Sequence, residues 1–276
     1  MNILIFSKDR PAQLDALFVS MQQFLPSAAL KDVLCIYAEQ NVRVAQKMRR
    51  RWGRDLKLFQ ETSTHTFSRL FDMIVGSLNP ISHTLVLCDD EVFYRPCTDI
   101  CELQITNDQV YSHALRLGSN ITECYTNFGL NNLNECNPQA YGNGQWLWKW
   151  AEGCRDFAYP WSITGHVWNT KWFREVLAAR KQHFTSPNTL EGVLMQSSVD
   201  HNAKPYMTCP HLSLCVNVPL NKVQRDNNNH AGIHYFLSIE DAKQRFLDNQ
   251  RLQYKIDPEA VTAAHQEFDY EWVSLS

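Results

Sequence analysis

The chain has 276 residues, 44% hydrophobic and 12% aromatic, enough to bury the core of one large domain or two small ones. Its 26 basic and 29 acidic residues leave a net charge of −3, which excludes a long-range basic field for nucleic acid or anionic lipid. No run approaches the ~18 consecutive apolar residues of a membrane span. The N-terminal "MNILIFSKDRP" lacks a basic leader and a cleavage site, so a cytoplasmic protein is expected.

Residues 2–7, "NILIFS", read as a buried parallel strand. Pro11 opens a helix with Leu14, Leu17, Phe18, Met21 and Leu25 at helical spacing. Residues 32–38 form a second strand, and Val44, Met48 and Trp52 mark a helix that carries Arg49, Arg50 and Arg51. Residues 55–61 supply a third strand. Phe67, Leu70, Phe71, Ile74, Val75 and Leu78 define an amphipathic helix. The fourth strand, 83–88, runs straight into Asp89, Asp90 and Glu91. This alternation predicts an α/β layer with a mostly parallel mixed central sheet flanked by helices. Ligands in such sheets bind beyond the carboxyl ends of the strands, where "SKDR" (7–10) and the three acids both fall.

The second half is less regular. Trp146, Trp148 and Trp150 alternate, so a strand would place them on one face. That face is either an aromatic wall for a sugar or base or, more commonly, a core-facing ladder, and Trp161 has the same two readings. Residues 159–168 read as a strand entering a turn at Gly165, 170–181 and 186–196 as helices, and 212–219 as a strand. Ser238 and Asp241 cap a further helix, and Asp257-Pro258 starts a last one. No repeat or linker divides the chain. The nine cysteines suggest reduced thiols, because Cys88, Cys97 and Cys101 lack zinc-ribbon spacing and no second Cys-x-x-Cys pair exists.

Four stretches in order, "ILIFSKDRPAQLDALFVSM", "LVLCDDEVF", "SITGHVW" and "PNTLEGVL", make the chain resemble the nucleotide-sugar-dependent glycosyltransferases of the GT-A fold, the family-2-like group, over roughly residues 1–225. The resemblance implies a single Rossmann-like domain over 1–276: a nucleotide-sugar-binding half at 1–100, an acceptor half at 101–235 and C-terminal helices at 236–276. It makes Asp89, Asp90 and Glu91 the counterpart of an Asp-x-Asp motif, with Asp89 facing the ribose or sugar and Asp90 or Glu91 holding Mn²⁺ or Mg²⁺. Glu91 departs from the usual Asp, which leaves the direct ligand open between the two. A cation bridging the donor's diphosphate would reconcile three mutually repelling carboxylates.

The same resemblance assigns Ser7, Asp9 and Arg10 to the nucleotide, with Arg10 toward the diphosphate; Asp9 also suits a helix N-terminus. Gly165 and His166 are assigned to close approach of donor or acceptor, although a lone histidine is more often half-buried structure. Glu191 becomes the candidate base of an inverting transfer, with Asp200 as its neighbouring competitor. His230 and His234 are candidates to complete a metal sphere.

The expected function is therefore metal-dependent sugar transfer from a nucleotide sugar to a glycan or other hydroxyl acceptor, such as a surface polysaccharide precursor. A DNA acceptor, a modified base in phage DNA, is disfavoured because "KMRRRWGR" is the only dense basic run. A nucleotidyltransferase is disfavoured because "SKDRPAQL" contains no glycine. A non-catalytic sugar-binding module would not need three acids.

Overall fold

The computed structural model describes residues 1–98, 100, 108–126, 128–142, 144–223 and 230–275; Cys101 lies outside them. Among the described residues fifteen strands follow in chain order: β1 (Asn2–Lys8), β2 (Val33–Ala38), β3 (Lys57–Gln60), β4 (His83–Cys88), β5 (Glu91–Phe93), β6 (Val110–Ala114), β7 (Glu123–Cys124), β8 (Gly129–Leu130), β9 (Gln139–Tyr141), β10 (Gln145–Lys149), β11 (His166–Asn169), β12 (Tyr206–Pro210), β13 (Cys215–Asn217), β14 (Gln250–Tyr254) and β15 (Tyr270–Ser274). Six α-helices accompany them among the described residues: α1 (Pro11–Phe24), α2 (Val42–Trp52), α3 (Phe67–Ser77), α4 (Thr170–Ala178), α5 (Pro187–Met195) and α6 (Ile239–Leu247).

One nine-stranded sheet, ordered β3-β2-β1-β4-β11-β6-β12-β10-β9, draws strands from both halves of the chain. Strands β3, β2, β1 and β4 are parallel neighbours. Antiparallel β11 is inserted between β4 and β6, β12 runs parallel to β6, and β10 and β9 close the far edge antiparallel. The expected α/β class with its mixed, flanked sheet is what forms.

The apolar runs explain the layers. In β1, Ile3 and Ile5 face one core while Leu4 and Phe6 face the other, and β4 divides Leu85 and Leu87 from Val86 in the same way. A strand buried on both faces must be apolar at every position, so continuous runs rather than alternation mark it. Helices α1 and α2 and Phe246 of α6 pack on the first face; α3, α4 and α5 pack on the second. Asn41 caps α2 by accepting from the Arg43 and Val44 amides, and Ser186 with Thr189 forms a capping box on α5.

Two expected elements change. Residues 159–164 form no strand: Gly165 turns at φ +63°, and β11 begins only after it. The C-terminal region holds one α-helix, not several. Asp257 caps a short 3₁₀ turn, and the flanking segments pair as the β14–β15 hairpin, whose cross-strand pair Leu252 and Trp272 turns toward the core. Period-two patterning in "QRLQY" and "YEWVS" outweighs the Asp-Pro start signal. Trp146 and Trp148 do share β10, but they pack into the core, where the Trp148 indole donates to the Phe157 carbonyl at 2.8 Å.

Helix α1 is buried along most of its length, polar Asp15 included. That carboxylate receives two bonds from Arg51 at 2.7 Å, one from Arg251 at 3.1 Å and the Trp52 indole at 3.1 Å. It ties α1 to α2 and to the C-terminal hairpin, and it occupies part of the basic run at 47–54. Asp15→Asn is expected to destabilise the fold by about 3 kcal/mol, the low end for breaking a buried pair because both arginines keep some access to water. Urea denaturation at neutral pH measures it, and an unchanged midpoint would refute the tie.

Candidate active site

The carboxyl ends of β1 and β4 lie side by side, because the strands are parallel neighbours with Phe6 opposite Cys88. The Asp89 amide extends that ladder by donating to the Phe6 carbonyl at 3.0 Å. The chain then turns through Asp90 into β5, which pairs with β13 so that Glu91 stands opposite Asn217. Three acids are thus pinned by backbone, and each is sent in a different direction.

Asp89 is buried. Its Oδ2 accepts from the Lys8 amide at 3.0 Å and its Oδ1 from Arg10 Nη1 at 3.1 Å. Ser7 also hydrogen-bonds this carboxylate. Burial pushes Asp89 up to about 6, against the pull of Arg10. Asp90 keeps 19% of its side chain exposed, the most accessible of the three. Arg10 Nη1 lies 3.3 Å from its Oδ2, and Asn217 Nδ2 donates to its Oδ1 at 2.9 Å. Arg10 itself is anchored by Asn221, whose side-chain oxygen accepts from Nε at 2.7 Å. The cation demanded by the acidic run is, in the folded chain, first of all a guanidinium. Asp9, beside it, adopts a left-handed φ of +57° and pairs with Lys243 of α6 at 2.7 Å, so its charge serves that lysine rather than the start of α1.

Glu91 points inward and is fully buried. Its Oε2 accepts from the Cys88 amide at 2.7 Å, and its Oε1 lies 3.9 Å from Arg116 Nε. Arg116, at the end of β6, is held by the Thr164 carbonyl at 2.7 Å and Ser162 Oγ at 3.0 Å. Burial raises the Glu91 carboxyl to about 8 despite this arginine. A Cβ on Gly165 would sit 2.6 Å from Arg116 Cγ and 2.7 Å from Glu91 Oε1. The glycine expected to admit a sugar is needed to admit the Arg116–Glu91 pair.

Glu191, in α5, reaches back to the same loop. Its Oε1 accepts from the Ile163 amide at 2.9 Å, and the Tyr159 hydroxyl lies 3.4 Å from its Oε2. The residue is half-buried, and desolvation raises its pKa while the Ile163 amide and Arg116 oppose the rise. The loop at 159–165 joins Glu191 to the end of β4: Ile163 donates to Glu191, Ser162 and Thr164 hold Arg116 beside Glu91, and the Gly165 amide donates to the Val86 carbonyl at 2.9 Å.

Other candidates fall elsewhere. His166 is buried in β11 with Nδ1 3.2 Å from Ser112 Oγ, and burial drives its pKa well down, so it is a neutral core histidine rather than a ligand contact. Asp200 caps a 3₁₀ turn through the Asn202 amide. The His230 ring packs 4.2 Å from that of Phe128, and His234 is held through its backbone by Glu267. Among the described residues no group of three His, Cys, Asp or Glu side chains is placed to hold a metal ion. A cavity of about 440 Å³ lined by Lys31, Arg49 and Lys57 lies at the opposite, amino end of β2 and β3. Sequence reading missed Arg116, Asn217, Asn221, Glu39 and Lys243. Glu39 alone carried a signal, an acid just past a strand end like that of 89–91.

No family model and no curated protein matches the chain. Solved structures do. S. aureus TarS residues 1–349 aligns at 10% identity with a TM-score of 0.44, over 77% of this chain and 58% of that one. The same TarS fragment in complex with UDP-GlcNAc aligns at 9% identity and TM-score 0.43, over 90% and 66%. The apo WbbM bifunctional glycosyltransferase aligns at 11% and 0.35, over 71% and 34%. The chain thus spans less than two thirds of each structure's length. Likeness this distant assigns no function, which has to come from the site itself.

Because folding raises the Glu91 pKa from 4.5 to about 8, the folded protein binds this proton more tightly than the unfolded chain. The stability linked to it is complete below pH 4.5 and is lost as the pH rises through about 8. Asp89 makes the same kind of contribution but finishes near pH 6. Glu91→Gln is therefore expected to flatten the stability decline between about pH 6 and pH 8, measured by chemical denaturation across that range.

Proposed function

We propose that the chain is a glycosyltransferase that moves a sugar from a nucleotide sugar to an acceptor hydroxyl. The observation that carries this reading is a solvent-reached carboxylate, Asp90, beside Arg10 at the end of β4, with a second carboxylate of raised pKa, Glu191, held by the Ile163 amide of the loop that joins β4 through Gly165.

The residues fit a hard divalent cation through Asp90, whose carboxylate keeps access to solvent while Asp89 and Glu91 are enclosed. Mg²⁺ or Mn²⁺ bound with a substrate needs only one or two protein carboxylates, the phosphate oxygens and water completing its sphere. When bound, the ion would neutralise charge that builds on the departing diphosphate. Glu91, which the motif offered as a ligand, is enclosed against Arg116 and serves the fold.

Arg10 stands ready for the diphosphate, held in place by Asn221 and Asp89 rather than by the ligand. Such prepositioned charge acts without reorganisation at the moment of reaction. Glu191 takes the proton of the acceptor hydroxyl as its oxygen bonds to the anomeric carbon and the bond to the diphosphate breaks on the opposite side, which inverts that carbon. The Ile163 amide orients the carboxylate, and the raised pKa strengthens it as a base.

A glycan hydroxyl, as in a surface polysaccharide precursor, is favoured over a base in DNA. Much of the basic run is already engaged, Arg51 with Asp15 and Arg49 with Tyr37.

A thermal-shift screen of nucleoside diphosphates and nucleotide sugars, with and without Mn²⁺, tests the donor site. A metal-dependent stabilisation is expected, and Asp90→Asn is expected to abolish the metal dependence. A shift that persists in chelator would leave Arg10 as the site's cation, and no shift with any nucleotide would end the proposal. Glu191→Gln is expected to lower turnover by ~10²–10⁴ with donor binding unchanged, measured by sugar transfer or donor hydrolysis.

A further inference from the structure

A second cavity, of about 480 Å³, lies four strands over from β4 and is lined by Tyr141, Gly142, Gly144, Gln145, Trp146 and His211. The strand directions fix which end of the sheet it occupies. Strand β11 is antiparallel to both β4 and β6, so β6 runs with β4, and β12 runs parallel to β6. Gln145 and Trp146, at the start of antiparallel β10, pair with Pro210 and Cys209 at the end of β12. The cavity therefore opens at the same end as the acids. With strands about 4.8 Å apart, it lies about 19 Å across the sheet from them. Backbone also links the two places, because the His211 carbonyl accepts from the amide of Ser119, just beyond Arg116, at 2.9 Å.

The wall combines aromatic rings with neutral polar groups. Trp146 is half-buried, packed on the core, and its ring centroid lies 5.7 Å from that of exposed His211. The Tyr141 hydroxyl, the Gln145 amide and the His211 ring make no hydrogen bond among the described residues. No Lys, Arg, Asp or Glu lines the cavity among those residues. An added Cβ at Gly142 or Gly144 would meet nothing within 4 Å, so both glycines border open space. An uncharged carbohydrate matches this surface: its C–H face suits an aromatic ring, and its hydroxyls exchange hydrogen bonds with an amide, a phenol and an imidazole. The phosphates of a nucleotide would meet no cation here.

We propose that this cavity holds a neutral sugar unit of the acceptor glycan, remote from the hydroxyl that reacts. The inference rests on the glycosyltransferase reading above and deepens it by naming the acceptor class. Only a chain of several sugars reaches from the acids to Trp146, so the acceptor is an uncharged oligosaccharide or polysaccharide.

The experiment applies wild type, Gln145→Ala, His211→Ala and Lys149→Ala to an array of neutral and acidic glycans, from monosaccharides to hexasaccharides, and titrates the best glycan by calorimetry. Wild type is expected to bind neutral oligosaccharides in preference to acidic ones. Gln145→Ala and His211→Ala should each weaken the best glycan by about threefold to tenfold, the worth of one neutral hydrogen bond or ring contact. Their melting temperatures should stay close to wild type, since neither side chain is hydrogen-bonded in the free protein. Lys149, at the other end of β10, pairs with Glu152 in solvent, and its alanine variant should bind as wild type does. The thermal shift with nucleoside diphosphates and Mn²⁺ should be the same in all four proteins.

Unchanged glycan affinity in both cavity variants overturns the proposal, as does wild-type binding to acidic glycans alone or to no glycan. In each case a persisting nucleotide shift leaves the donor site standing. Equal weakening in Lys149→Ala also overturns it, by assigning the effect to a disturbed β10. A glycan held by the cavity in a protein that no nucleotide stabilises removes the transferase reading and the acceptor role with it, leaving a carbohydrate-binding site.

Discussion

The structure turns on how three adjacent carboxylates at the end of β4 are made compatible. One arginine pair and one retained proton do it. Arg10, between β1 and α1, spans Asp89 and Asp90, while Arg116, at the end of β6, faces Glu91. Both guanidiniums are enclosed; breaking the buried Arg10–Asp89 pair on one side leaves a charge that water cannot reach, a loss of several kcal/mol, whereas Glu91 beside Arg116 keeps its proton at neutral pH. The pairs therefore constrain topology as well as charge. They require the ends of β1, β4 and β6 to meet, and the proposed site is the place where they do.

The same pairing divides labour among the acids. Asp89 is spent on Arg10 and the Lys8 amide, and Glu91 is dry enough to hold its proton to about pH 8, so only Asp90 remains available to a ligand. The loop at 159–165 couples this cluster to Glu191. Ser162 and Thr164 hold Arg116, Ile163 holds Glu191, and Gly165 leaves room for Arg116 and Glu91 to pass. One short segment thus positions groups on both sides of the proposed reaction. A substitution there should register in chemistry and in stability together.

Much of the scaffold was legible from local pattern. The apolar runs at 2–7 and 83–88, the helix opened by Pro11 and the amphipathic stretch from Phe67 all formed where their periodicity placed them. Burial on both faces or on one stripe is a property of neighbouring residues, and so it can be read from them. The weaker expectations failed for an equally local reason. At 159–164 the left-handed Gly165 sets where the strand starts, and beyond Pro258 the alternating residues 270–274 pair across the hairpin with 250–254 instead of continuing a helix.

The sequence by itself determined that acids would crowd the end of a buried strand, that Ser7, Asp9 and Arg10 would end its neighbour, and that a helix well downstream would carry Glu191, which falls past its first turn. Only the tertiary structure decided what each acid faces. Arg10 and Asp89 are 79 positions apart, and Asn221 lies 211 positions from the Arg10 side chain it anchors. The charge state of Glu91 and the burial of His166 depend on such distant partners. Electrostatic energy follows distance and dielectric in space, and neither is a function of separation along the chain.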